Sequence, residues 1–494
     1  MPDVTHAAPH EDLEASTAAA RGTAALLGFQ MVARALALVF VMVATRVIAP
    51  DEFAEYSIAA SLVLMGSYFA DAGTTPAVIR LISRGSIHSD HAVSRTLPLS
   101  LGTGIVSALG VMTFALLAGY PRTTLEAIGV GALAIPASSA LTTILAGLDG
   151  RGLLSRRAVI SAAQTAIVAI GGIAALIAGF GALGAVVPIA LAPWILLPVA
   201  TVVARKADVW TSRPAYHHAT LRTVIGCALP FAATGVLTTL TARFDVVLLS
   251  ILSTPADTAT YDVAQRMLES FGFLSAAVTV PALFLFNKRL AGEDLPGFRR
   301  AYDRAVAVLL AISLPVGVCG AILSDSLTSL VFGPDYSDVA LPVAILLLGL
   351  PVSFVLAIQG TVASSYNRLR LAVALAAITL AITAVLDLLL ISTWGATGAA
   401  IALLLGWTLS LVPYEVVQRR RTGARTHLPS GRLVLAVALP AAACITLRTT
   451  PLLALPVAGL FYAIGALCLG VITSADLSAA GLPARFSQSR WVRA

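Results

Sequence analysis

Three arginines, Arg34, Arg243 and Arg266, sit inside runs of apolar residues. A charged side chain at the centre of a bilayer costs about 2.5–3.5 kcal/mol on insertion scales, so a membrane helix keeps one only where it pairs or faces water. Guanidinium is planar, stays charged and grips phosphate oxygens through two bonds. Gln30 precedes Arg34 by about one helical turn, and no acidic residue stands near Arg34 in the chain. These residues suit a hydrated cavity with a net basic lining, fit to hold a phosphate or pyrophosphate group. The competing reading makes Arg243–Asp245 and Arg266–Glu269 structural ion pairs, the second of which can meet on one helix face. The acids Asp71, Asp245 and Glu269 are candidates for carrying a proton or binding a cation that drives transport, and Asp387 lies in a further apolar run. Arg46, near the end of its run, reads as snorkelling outward.

The elements that would position these groups are membrane helices. Hydrophobic types make up 58% of the 494 residues and charged types 12%. A soluble core could not hide that much apolar surface. Apolar stretches recur near 23–48, 53–78, 97–119, 124–147, 157–179, 182–203, 223–251, 257–286, 305–326, 339–362, 370–392, 396–416, 432–449 and 452–473. The fold class is therefore all-α, a polytopic membrane protein of about fourteen transmembrane helices. With the amino terminus inside, the cytoplasmic segments hold 26 of the arginines and lysines and the outer loops hold two, Arg122 and Arg448. Such a bias is the positive-inside rule, and it places both termini in the cytoplasm. The same distribution explains the net charge of +7 without nucleic acid. The first twenty residues carry no Lys or Arg, so they do not read as a secretory signal.

Two motif pairs indicate an internal repeat. PDEFAEYSIA begins at Pro50 and PADTATYDVA at Pro255, both P-x3-A-x-Y-x-[IV]-A. GALGA begins at Gly181 and GATGA at Gly395. Counterparts stand six spans apart, an even number, so the copies run in parallel through the bilayer. The expected organisation is a tail at 1–21, a six-helix bundle at 22–205, a cytoplasmic linker at 206–222, a second bundle at 223–418, two further helices at 419–475 and a tail at 476–494. Cys227, Cys319, Cys444 and Cys468 lie in apolar stretches without metal-ligand spacing and read as small buried residues. No Walker motif, zinc motif or nucleophile elbow is present, and the loops are short, so no catalytic residue, cofactor or metal is expected.

The run RVIAPDEFAEY from Arg46 to Tyr56, then Asp71-Ala72-Gly73 and Arg80, resembles the start of the polysaccharide-biosynthesis flippases, the Wzx-type exporters of O-antigen and exopolysaccharide repeat units. YDVAQR ending at Arg266, VFGPDY ending at Tyr336 and WGATGA beginning at Trp394 match further along, and the likeness covers roughly residues 20–420. That family belongs to the multidrug/oligosaccharidyl-lipid/polysaccharide exporter superfamily. The resemblance implies two six-helix bundles working by alternating access in a bacterial plasma membrane. It implies an isoprenoid-pyrophosphate-linked oligosaccharide as cargo, with Arg34, Arg243 and Arg266 holding the pyrophosphate. Implied partners are membrane lipids, a sodium ion or proton for coupling, and a polysaccharide polymerase or glycosyltransferases. A cation-coupled drug or metabolite antiporter on the same fold, and a non-transporting scaffold for glycan assembly, stand as alternatives.

Overall fold

A computed structural model describes residues 28, 32–210, 218–366, 369–426, 431–448 and 450–468. Among these residues there are helices and no strands. Each of the fourteen predicted spans overlaps helix among its described residues. Among the described residues nine helices are long and apolar enough to cross a membrane, and one bent pair makes a tenth. Large apolar side chains such as Leu117, Ile177, Leu229 and Phe284 point outward, as they do where lipid is the solvent.

The chain divides into two compact units, one within Met1–Ile48 and Glu55–Thr239, the other within Ala49–Ala54 and Leu240–Ala494. In the first unit lie α1 (residues 32–47), most of α2 (Pro50–Asp71), α3 (Thr74–Ser83), α4 (Ser89–Leu117), α5 (Arg122–Ala132), α6 (Ala134–Gly150), α7 (Leu154–Ile177) and α8 (Gly181–Lys206). The long α9 (His218–Leu252) begins there. Its core is built by small residues and short hydrogen bonds between helices, as membrane packing favours. Ser100 and Thr143 hydroxyls meet at 2.7 Å, Thr103 donates to the Ala70 carbonyl at 2.6 Å and Ser107 to that of Gly66 at 2.6 Å. Val93, Leu141, Ile144, Leu148 and Ala200 form a buried cluster joining α4, α6 and α8.

The second unit holds the end of α9, α10 (Pro255–Ser270), α11 (Gly272–Ala291), α12 (Leu295–Ile322), α13 (Ser324–Phe332), a 3-10 turn at Pro334–Val339, α14 (Ala340–Leu348), α15 (Leu350–Ser365), α16 (Leu369–Thr422), α17 (Gly431–Thr446) and α18 (Pro451–Cys468). α16 is two rods joined at Gly395, whose φ of 52° breaks the helix. Phe53 packs edge-on to Tyr336 at 6.3 Å, so the PDEF and FGPDY motifs meet. α17 and α18 have 16 and 18 residues, fewer than the ~20 that span a hydrocarbon core upright.

Four spans predicted as continuous are interrupted well inside their length, and that near 305–326 breaks close to its end, at Leu323. The span near 53–78 breaks after Asp71 and that near 257–286 after Ser270. The span near 124–147 is interrupted at Leu133 and that near 339–362 bends by 45° at Gly349. Proline follows both of the last two sites, Pro136 and Pro351, and each removes a ladder donor. Trp194 Nε1 donates to the Leu133 carbonyl at 2.9 Å, so the interruption leaves that group satisfied. The four inner interruptions fall on counterpart spans of the two copies. Gly181 and Gly395, aligned by sequence, both have positive φ, 59° and 52°. The repeat is thus present in the backbone as well as in the motifs.

Candidate functional site

α9 and α10 carry most of the buried charge of the second unit. Arg243 comes from α9, and Asp262, Arg266 and Glu269 from α10. Asp262 and Arg266 are four apart and meet on one face, Nε to Oδ2 at 2.6 Å. Arg243 Nη1 reaches Asp262 Oδ1 at 3.3 Å. Asp262 is therefore shared by two arginines, and it is fully buried. Arg243 Nη2 also reaches Glu269 Oε1 at 3.0 Å, where the glutamate side chain is 40% exposed. The result is a four-charge network closed on one side by a buried aspartate and on the other by an accessible glutamate. Gln265 donates to the Ala242 carbonyl at 3.0 Å and ties the two helices beside it.

Asp245 stands apart from this network. Its Oδ1 accepts from the Val246 amide at 2.8 Å and its Oδ2 from the Tyr261 hydroxyl. Residues two apart on a helix do not face each other, so Arg243 finds its carboxylates on α10 rather than at Asp245. Asp387, on the first rod of α16, interacts through space with both Asp245 and Tyr261. It is fully buried, and neither carboxylate oxygen has a hydrogen-bond partner among the described residues.

The other sequence candidates lie in the first unit. Arg34 is an exposed residue of α1, and Arg46 is exposed near its end. Gln30 lies outside the described residues. Asp71 Oδ1 accepts from the Thr75 amide at 3.1 Å, the Thr75 hydroxyl at 2.6 Å and the Thr74 hydroxyl at 3.2 Å. It thus supports the first turn of α3 just past the break. Sequence reasoning missed Asp262, Tyr261 and the approach of Asp387 to Asp245. Asp262 alone carried a local signal, its four-residue spacing to Arg266. Among the described residues no group of three or more His, Cys, Asp or Glu is placed to hold a metal ion.

Solved structures share this architecture. The lipid II flippase MurJ, in an inward closed conformation, superposes with a TM-score of 0.74 at 13% identity, covering 89% of this chain and 97% of that one. A variant of the Vibrio cholerae MATE transporter VcmN gives 0.57 at 14% identity, over 82% and 97% of the two chains. A MOP-superfamily transporter from Pyrococcus furiosus, described as having a binding pocket of reverse polarity, gives 0.60 at 13% identity, over 81% and 95%. The chain therefore has the fold of the MOP-superfamily transporters and is a multi-pass membrane protein. No curated protein sequence matches it. The model of the family described as "Polysaccharide biosynthesis protein" matches residues 19–285, a little over half the chain, and takes in both α9 and α10 of the network. The chain belongs to the polysaccharide biosynthesis protein family.

Proposed function

We propose that this protein is a flippase that moves isoprenoid-pyrophosphate-linked oligosaccharide from the cytoplasmic to the outer leaflet of a bacterial plasma membrane by alternating access, for cell-surface polysaccharide biosynthesis. The observation that carries the reading is the network on α9 and α10. Two arginines are held ready by one buried aspartate, and Glu269 occupies Arg243 from the accessible side. An incoming pyrophosphate offers the same kind of bonds that Glu269 makes, with more charge and more acceptor oxygens. Family membership and the flippase and exporter folds support the same direction. Both termini are cytoplasmic, and 22–205 and 223–418 are the two six-helix bundles that alternate. A polymerase or glycosyltransferases of the same glycan pathway are its partners. The protein moves its cargo without modifying it.

Replacing Arg266 or Arg34 with Ala should reduce glycan export to background while the protein still inserts. In the Arg266→Ala variant Asp262 keeps Arg243, so the core stays compensated. Surface glycan measured by antibody or lectin, alongside membrane-fraction immunoblots, tests this. Full export by both variants would sink the mechanism.

A cation-coupled antiporter is the second reading, favoured by two buried acids, Asp245, which accepts from the Tyr261 hydroxyl, and Asp387, whose carboxylate has no hydrogen-bond partner among the described residues. In either reading these acids are the coupling candidates, for a proton or a sodium ion. A buried ionised carboxylate without a partner is costly, which a bound proton or cation relieves. Asp387→Asn should therefore fold as stably as the parent and lose transport that depends on the ion gradient. Vesicle transport with imposed sodium or proton gradients reads this, and undiminished gradient-driven transport excludes Asp387 from coupling. Efflux of cationic drugs by the parent chain, with export of glycan unaffected by its deletion, would favour the antiporter.

A further inference from the structure

The outer corner of the second unit joins α12–α13 to the turn between α17 and α18. Arg448 pairs with Asp325, and Ser326 Oγ donates to the Arg448 carbonyl at 2.5 Å. Both charged side chains are more than half exposed, so the corner faces water. Just beneath it, Cys319 and Cys444 belong to one buried cluster with Leu323, Ala454 and Ala458. Both side chains are thus buried side by side in one cluster between α12 and α17. Cys319 stands three residues before the end of α12, and Cys444 two before the end of α17. Each is within one helical turn of the aqueous edge. Cys319 also lines an apolar cavity of about 590 Å³ bounded by α12, α17 and α18.

We propose that Cys319 and Cys444 form a disulfide that fastens the α17–α18 pair to α12. The proposal rests on the orientation given above, which sets this corner outside the cytoplasm, where disulfides persist. The oxidant is an extracytoplasmic disulfide, of a dithiol protein or a small thiol. One cysteine, as thiolate, attacks it, forming a mixed disulfide and expelling one oxidant thiol. The second cysteine then attacks the mixed disulfide, forming Cys319–Cys444 and expelling the other oxidant thiol. The protein loses two protons and two electrons, and the oxidant gains them. The consequence is mechanical, since the terminal pair then moves with α12 as one piece.

The test uses the full chain purified from bacterial membranes and denatured in a thiol-alkylating reagent. Of the four cysteines, Cys227 and Cys468 should react without reductant and all four after reduction. Proteolysis and mass spectrometry should recover the peptide of Cys319 joined to that of Cys444. The parent's melting temperature should fall on adding reductant, and that of a C319S/C444S variant should not move. Alkylation of all four without reductant, or a linkage between other cysteines, overturns the proposal. Orientation is read separately by adding Arg448→Cys to the C319S/C444S background and labelling intact cells with an impermeant maleimide. Labelling places the corner outside; failure to label overturns the proposal by removing the oxidising compartment, whatever the export assay shows.

Discussion

Asp262→Ala should leave little folded protein. Asp262 is fully buried and bonds both Arg243 and Arg266, so its removal takes a buried carboxylate from two guanidinium groups at once. Breaking a buried pair by deleting one partner costs about 3–5 kcal/mol. The net stability of a whole protein is only about 5–15 kcal/mol. Glu269 cannot take over both arginines, because it already engages Arg243 from a half-open position. Thermal melting of the detergent-solubilised chain, with the monodisperse fraction on size exclusion, measures the loss. Adding Arg266→Met should recover part of it, since Arg243 then keeps Glu269 and the net charge of the site returns to zero. An Asp262→Ala variant that melts with the parent would show that water reaches the network freely.

Gly73→Ala should be more damaging than any other single-methyl change at a left-handed glycine of the first unit with open surroundings. Gly73 has φ of 72°, and a Cβ there would stand 2.3 Å from the Ala232 amide nitrogen and 2.4 Å from the Ala228 carbonyl oxygen. Both atoms belong to the backbone of α9, so no side chain can swing aside. Gly85 is the control, with φ of 66° and nothing within 4 Å of the same methyl. Gly85→Ala should cost only the left-handed strain, about 1–2 kcal/mol. Gly73→Ala adds displacement of α3 from α9, and the Arg80 guanidinium moves off the Phe231 ring with it. Melting temperatures of the two variants side by side decide the matter. Equal losses would mean that the α2–α3 break does not press on α9.

Much of the scaffold was legible because the bilayer imposes length and apolarity on each helix. The repeat was legible because Pro50, Pro255, Gly181 and Gly395 do backbone work that few other residues can do. The breaks were harder. Pro136 and Pro351 stood in view, yet a proline inside a membrane helix leaves open whether the helix bends, and Trp194 had to be found on another helix. The role of Asp71 followed a local signature, an acid with threonines three and four residues on, which also reads as a charge in the membrane. The network shows the sharper limit. Asp262 and Arg266 were four apart and readable, but Arg243 meets Asp262 only because α9 packs on α10. Asp387 approaches Asp245 from a helix more than a hundred residues away, and no spacing rule reaches that far.

The four formal charges of Arg243, Asp262, Arg266 and Glu269 cancel. A transmembrane voltage does work only on net charge that moves, about 2.3 kcal/mol per elementary charge for every 100 mV. A neutral network shifting as one piece is invisible to that field. In the proposed cycle the anionic headgroup and the coupling cation then feel the voltage, and in a cell with a negative interior the headgroup is pushed outward and the cation inward. The electrical share of the driving force belongs to the cargo and its coupling ion, and the empty network can return without opposing it.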